Sequence, residues 1–167
     1  MVTLGTIIPV PEQRDWFSAL DLQDAYFHIT IHPIHRLFLR LTVGHKHYQC
    51  RLLPFGLFTA PRVFSKTLTV VAVHLRKQGI VFFPYLDDCL LKGPNWIAMT
   101  EIAQRTTALF QTLGLQLNIQ KSTLIPTQQL DFIQFNEHIY SVQARVCLPQ
   151  TRFLGIKNLI ETVYTSS

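Results

Sequence analysis

Ile80-Val81-Phe82-Phe83-Pro84-Tyr85-Leu86-Asp87-Asp88-Cys89-Leu90-Leu91 sets two adjacent carboxylates between two apolar runs. Neighbouring like charges repel, and burying either is costly unless a cation or a hydrogen-bond network compensates. β-rich runs on both sides of a turn that tolerates Asp read as a hairpin ending at Lys92-Gly93-Pro94. Its tip then holds Asp87 and Asp88 out of the sheet. Taken alone, these residues fit an acidic surface turn as well as a metal-binding tip, because Asp is common in turns.

A second carboxylate shifts that balance. The stretch Trp16 to Ile29 is another apolar, β-leaning run that delivers Asp21, followed by the small Ala25 and the aromatic Tyr26. One Asp at the end of a strand beside an Asp pair at a neighbouring hairpin tip makes a three-carboxylate cluster. Such a cluster suits two Mg²⁺ ions, roughly 3.5–4 Å apart, that activate a 3′-hydroxyl and stabilise a leaving pyrophosphate. Mn²⁺ is an admissible substitute. The implied chemistry is nucleotidyl transfer.

The 167 residues, 48% of them apolar, suit one domain with a real core. The apolar stretches are short or interrupted by Asp87 and Asp88, which argues against a membrane span, and the N-terminus lacks a secretory pattern. Cys50, Cys89 and Cys147 are odd in number and lack zinc-site spacing, so a reduced, intracellular setting is expected, nuclear or cytoplasmic. The net charge of +5 and pI of about 9.3 favour an acidic partner. Arg36, Arg40, Lys46 and Arg51, with His45 and His47 between them, fall in a segment that alternates around Gly44 like a hairpin. Its cations read either as a nucleic-acid or triphosphate path or as a solvated charged hairpin.

Along the chain, Pro9 and Pro11 make the first 15 residues irregular. A strand over 16–21 and the hairpin of about 37–53 follow. Thr59-Ala60-Pro61 opens a helix with Phe64, Leu68, Val71 and Leu75 on its core face and Gly79 at its end. Asn95 caps a second helix, with Ile102, Thr106, Leu109 and Leu113 on one face and Gly114 at its end. Short strands are predicted at about 121–126, 131–135, 138–142 and 145–148, and Phe153 to Val163 patterns as the start of another helix. Two helices against an antiparallel sheet make an α+β layer.

Five segments, in order, resemble the polymerase motifs of reverse transcriptases. They are Asp21 with Ala25-Tyr26; Leu53-Pro54-Phe55-Gly56-Leu57 with Ala60-Pro61 and Phe64; Tyr85-Leu86-Asp87-Asp88; Gly114-Leu115 with Asn118 and Lys121; and Leu130-Asp131-Phe132-Ile133. Five motifs in register are far more specific than any one. Their wording is similar to reverse transcriptases of eukaryotic retrotransposons, DIRS-like first and gypsy-like next. The resemblance implies a polymerase palm, an antiparallel sheet packed on two helices, with a partial fingers hairpin. It implies one partial domain over 1–167, with a palm core of about 14–148 and a following helix beginning within 150–164.

By position in those motifs, Asp21, Asp87 and Asp88 are implied as ligands of two Mg²⁺ ions, with the Leu22 carbonyl near them. Lys121 is implied as proton donor or electrostatic stabiliser for the pyrophosphate. Tyr26 is implied to lie beneath the incoming sugar and to exclude a 2′-hydroxyl, the alternative being a core aromatic. Phe55 and Gly56 are implied to underlie the template base and incoming nucleotide, and Tyr85 to support the Asp pair. Asp24 is ambiguous, a turn cap or a residue whose backbone N–H lies near the triphosphate. The implied partners are a primed template and deoxynucleoside triphosphates, with no membrane. Pro84 is expected to bend or unpair its strand, and Gln134, where the family has Gly, departs from the primer-holding turn. The resemblance implies that most of the fingers, the thumb and any ribonuclease H region are missing here, so the isolated chain is expected to extend a primer weakly or not at all. A decayed copy without catalysis and a nucleic-acid-binding remnant are the rival readings.

Overall fold

The computed structural model describes residues 14–132, 137–140 and 145–147. The segments 1–13 and 148–167 and Gln134 lie outside them, and with them the predicted irregular start, the final helix and the Gly-to-Gln departure.

Four antiparallel strands form the central sheet, in the order β4-β5-β1-β6. They are β1 (Trp16–Asp21), β4 (Val81–Tyr85), β5 (Asp88–Gly93) and β6 (Thr123–Thr127). A separate ribbon pairs β2 (Arg40–Val43) with β3 (Lys46–Gln49), and β7 (Gln129–Phe132), β8 (Glu137–Tyr140) and β9 (Arg145–Cys147) form a third sheet. Two helices, α1 (Ala60–Lys77) and α2 (Trp96–Thr112), pack on the central sheet. This is the α+β layer expected, with strand limits shifted by a few residues in the C-terminal part.

Strand alternation divides the central sheet into two faces. On the helix side Leu20, Phe82, Cys89 and Leu91 meet Phe64, Leu68 and Leu75 of α1 and Met99 and Phe110 of α2, all buried. On the other side Phe17 and Leu90 pack with Leu130, flanked by Ala19, Phe83 and Tyr85. Asp21 follows Phe17 and Ala19 on that second face, and Asp88 shares it with Leu90. The helices therefore supply most of the core, while the opposite face is left for chemistry.

Both helices end as their sequences dictate. Pro61 sits in the first turn of α1, where no amide hydrogen is missed, and the chain leaves through Gly79 at φ +77°. Asn95 caps α2 by accepting the Ala98 N–H at 2.9 Å. The buried face of α2 is Met99, Ala103, Thr106 and Phe110, a correction to the predicted stripe. Ile102 and Leu109 are only partly buried and Leu113 is 52% exposed. The helix turns so that its buried ring, Phe110, meets Phe82 edge-on at 6.1 Å.

Pro84 does not break its strand. It holds register opposite Cys89, and the ladder continues to Tyr85 opposite Asp88. β4 is the edge strand, where a missing amide donor is tolerated. Asp88 is likewise the first residue of β5 and not part of a projecting tip.

Sequence reading gave no hint of the ion pair between Lys92 and Asp15, 2.8 Å apart with side chains 14% and 10% exposed. It closes the far end of the face that carries Asp21. Removing one partner takes this ion pair away from a charge that sits in a poorly solvated place. Lys92→Met is expected to lower unfolding free energy by about 3 kcal/mol, and Asp15→Leu added to it to recover most of the loss. Urea unfolding of the two variants checks this; equal stability of Lys92→Met and wild type refutes it.

Candidate active site

The strand register builds the site. Asp21 ends β1 directly opposite Asp88, and Asp88 is in turn opposite Tyr85. Asp87 lies in the tight turn between β4 and β5, and its carbonyl accepts the Leu22 N–H at 2.8 Å. That bond ties the exit of β1 to the hairpin turn, so the two motifs cannot drift apart independently. Leu86, in the same turn, is held at φ +53°, a region that bulky residues rarely adopt. Strain of this kind persists only where surrounding contacts enforce it.

Burial and mutual charge act on Asp21 and Asp88 together. Burial raises the Asp21 carboxyl above its ordinary value, with Lys121 opposing the rise and Asp87 adding to it. The Asp88 carboxyl is pushed up to about 6 by burial, then by the charges of Asp87 and Asp21, against a smaller opposing effect of Lys121. Burial also pushes the Cys89 thiol well up, reinforced by Asp88, Asp87 and Asp21. This thiol is inert at neutral pH.

Among the described residues no three His, Cys, Asp or Glu side chains converge tightly enough to form a metal centre as they stand. Asp21 and Asp88 therefore share one sheet face, with Asp87 in the adjoining turn and electrostatically coupled to both, but the three are not closed around a point. Mutual repulsion of like charges favours that spread. The donor set nevertheless suits a hard divalent cation: its carboxylates are all oxygen donors, and the charge of Asp87 raises the proton affinity of both Asp21 and Asp88. Asp21, Asp87 and Asp88 would hold it.

Lys121 is exposed in a turn that a small network pins to β1. The Asn118 N–H donates to the Asp21 carbonyl at 2.9 Å, and the Asp21 N–H donates to Ser122 Oγ at 3.0 Å. Ser122 Oγ donates in turn to the Asn118 carbonyl at 2.8 Å, and the Lys121 N–H reaches Asn118 Oδ1 at 3.3 Å. The role of Ser122 was missed in the sequence; its signal was the polar spacing Asn118, Lys121, Ser122 just after a helix.

Tyr26 lies in a 3₁₀ turn (Ala25–His28) immediately beyond Asp21. Burial raises its hydroxyl pKa, with a further contribution from Asp87. Its ring centroid is 4.8 Å from that of Phe55 and 5.7 Å from that of Phe64, and Phe55 also meets Phe27 edge-on at 5.1 Å. The Pro54-Phe55-Gly56-Leu57 turn thus packs against the Tyr26 turn, while Phe55 stays 55% exposed. Gly56 is at φ +83°, which a side chain would strain. Asp24 is the residue before the turn, at φ +50°, and its side chain makes no capping hydrogen bond, contrary to the capping reading.

The basic segment is not one stripe. The ribbon pairs Arg40 with Gln49 and Thr42 with His47, and Leu41 with Tyr48 and Val43 with Lys46. Alternation puts Arg40 and Lys46 on opposite faces. Arg36 turns inward and donates from Nε to the Ile31 carbonyl at 2.9 Å, while Arg51 is exposed at the ribbon's root. Cations and exposed apolar residues such as Leu41, Val43 and Tyr48 therefore mix on this ribbon.

A family model described as reverse transcriptase (RNA-dependent DNA polymerase) matches residues 7–157. The chain belongs to the reverse transcriptase family. Protein P of duck hepatitis B virus (strain Germany/DHBV-3) is 28% identical over 164 residues, 96% of this chain and 20% of that protein. The genome polyprotein of Petunia vein clearing virus is 27% identical over 158 residues, 86% of this chain and 7% of that polyprotein. Among solved structures, the foamy viral protease-reverse transcriptase in complex with an RNA/DNA hybrid superposes with a TM-score of 0.74 at 17% identity, covering 90% of this chain and 20% of that one. A complex of the same protein with double-stranded DNA reaches 0.78, again at 17% identity, covering 93% and 26%. The fold is that of these palm-containing polymerases. The chain spans a fifth or less of the curated relatives just named.

The raised Asp88 carboxyl fixes the sign of a pH effect. In the unfolded chain it titrates near its ordinary value, about 3.9, so between that pH and about 6 the native state binds more protons. Its contribution is fully favourable below about pH 4 and is lost as pH rises through about 6. Asp88→Asn is expected to remove that slope and to melt above the wild type at about pH 8 in chelator. Thermal melts across this range check it, and parallel profiles for the two proteins refute it.

Proposed function

We propose that this chain is the palm of an RNA-directed DNA polymerase that adds deoxynucleotides to a primer on an RNA or DNA template. The observation that carries the reading is the register of Asp21 opposite Asp88 beside the Asp87 turn, on the sheet face away from the helices. Family membership and the relatives' printed descriptions support it. Asp21, Asp87 and Asp88 would bind Mg²⁺ or Mn²⁺. When bound, such ions lower the charge cost of attack by a 3′-hydroxyl and of pyrophosphate departure.

The chain's own residues do the rest. Asp21 and Asp88 are presented from paired strands, so their separation is set by a backbone ladder and not by flexible loops. Lys121 places a positive charge next to them, suited to the departing pyrophosphate. The Tyr26 ring, braced by Phe55 and Phe64, offers a wall against a ribose 2′-hydroxyl. Arg40, Lys46 and Arg51 lend the ribbon attraction for a phosphate backbone. Segments elsewhere in a longer parent protein would hold the duplex. From the wording of the motifs we place that parent among DIRS-like or gypsy-like retrotransposons, acting inside the cell.

Mg²⁺-dependent extension of a primed RNA is the test. Asp87→Asn is expected to reduce extension at least a hundredfold, because it removes a charged ligand while leaving the turn's backbone in place. Equal extension by both proteins would overturn the assignment. If neither extends, Mn²⁺ binding is the second reading, and absence of Asp87-dependent binding would also count against it.

Tyr26→Ala is expected to raise ribonucleotide relative to deoxynucleotide incorporation by at least tenfold, with little loss of deoxynucleotide addition. Single-nucleotide insertion kinetics measure the ratio. An unchanged ratio would make Tyr26 a packing residue only.

A further inference from the structure

The turn that carries Tyr26 has little local means of holding its shape. It is four residues of 3₁₀ helix, a form with poor hydrogen-bond geometry that is rarely stable alone. Asp24 before it is left-handed and gives no side-chain cap. Bonds from the Phe27 N–H to the Asp24 carbonyl and from the Ile29 N–H to the Tyr26 carbonyl close its two ends.

His28 supplies what the turn lacks. Its Nδ1 lies 3.1 Å from the Ala25 carbonyl, and its Nε2 lies 3.0 Å from the Gln116 N–H, 88 residues away in sequence. A carbonyl only accepts and an amide N–H only donates. Nδ1 must therefore carry the proton and Nε2 must be the bare acceptor, which fixes one neutral tautomer. Both polar atoms of the ring are in use.

Gln116 belongs to a segment already stitched to the end of β1. Its carbonyl accepts the Gln23 N–H at 2.9 Å, Leu117 bridges Leu22, and the Asn118 N–H binds the Asp21 carbonyl. Residues 116–118 thus grip the chain just after the Asp21 carboxylate by backbone bonds, and reach the far end of the Tyr26 turn by the hydrogen bond to the His28 ring. The loop from Asp21 to His28 is a bracket closed at both ends on one rail.

We propose that His28 is a positioning residue that fixes the Tyr26 ring relative to Asp21 and thereby sets discrimination between deoxyribose and ribose triphosphates. This deepens the polymerase reading and rests on it. His28 touches no reacting atom; it acts through the turn and the 116–118 segment.

Two substitutions separate this role from mere packing. His28→Gln puts an amide oxygen where Nε2 stands and keeps an acceptor for the Gln116 N–H. His28→Phe keeps the ring's shape and loses both polar atoms. Insertion of matched deoxy- and ribonucleotides is measured for each as kcat and KM. His28→Phe is expected to lower deoxy-over-ribo selectivity about tenfold, mainly through a lower KM for the ribonucleotide, while His28→Gln stays within about threefold of wild type. Adding His28→Phe to Tyr26→Ala should cost no further selectivity, since both disable one device. Nitrogen-15 spectra of the 167-residue chain should show the Nδ1–H tautomer at His28, and His28→Phe should speed hydrogen exchange at the Gln116 amide. An Nε2–H tautomer, or exchange at Gln116 that ignores His28→Phe, overturns the bracket. Unchanged selectivity in a protein whose extension still depends on Asp87 overturns the link to Tyr26. Loss of Asp87-dependent extension in the parent chain itself is failure of the polymerase reading, and the tautomer spectrum tells the two failures apart.

Discussion

Everything at the working end of this molecule depends on holding like charges together. Asp21 and Asp88 face each other across a strand pair, with Asp87 one residue away, and burial and mutual repulsion push the Asp88 carboxyl up to about 6. A sheet can impose this because the ladder fixes backbone positions regardless of what the side chains prefer. The opposing resource is the helix side of the same sheet, where Phe64, Phe82, Phe110 and their neighbours are fully buried. At roughly 25 cal/mol per Å² of apolar surface removed from water, a handful of such rings outweighs the electrostatic penalty of a few crowded carboxylates. The left-handed Leu86 fits the same account, since local strain is tolerated where a well-packed frame overrules it.

Much of this was legible in the sequence because it is local. Helix limits followed from Pro61, Gly79, Asn95 and Gly114, and the hairpin from two apolar runs around Asp87. That Asp21 ends a strand and Asp87 sits in the hairpin turn was legible from the apolar runs that flank them. What was not legible depends on tertiary placement. The core face of α2 turned on which side Phe110 finds its partner ring, and Pro84 was misjudged because edge or centre is a property of the sheet, not of the strand. Arg36 was counted with the exposed cations although its guanidinium folds back onto the Ile31 carbonyl. Likewise Lys92 and Asp15 meet only because β5 runs antiparallel to β1.

Two of the residues that sequence reading overlooked, Ser122 and His28, share a trait: each is polar, lies beside a motif, and bonds to backbone. Ser122 receives the Asp21 N–H and passes its own proton to the Asn118 carbonyl; His28 receives the Gln116 N–H. Neither has a pattern that announces chemistry, because their partners are main-chain atoms that every residue has. Such side chains act as extra rungs where the ladder stops. At the end of β1 the strand has run out of regular partners, yet its amide and carbonyl groups still require hydrogen bonds.

That requirement explains why the segment after α2 belongs to the site at all. Once Asp21 is placed at a strand terminus to free its carboxylate, the backbone around it loses the pairing a strand interior would give. Residues 116–122 restore it, through Gln116, Leu117, Asn118 and Ser122 in turn. Having been drawn in to satisfy backbone groups, the same segment brings Lys121 into electrostatic reach of Asp21 and Asp88. The positive charge beside the carboxylates and the support of the Tyr26 turn are thus two outcomes of one demand, the satisfaction of the main chain where β1 ends.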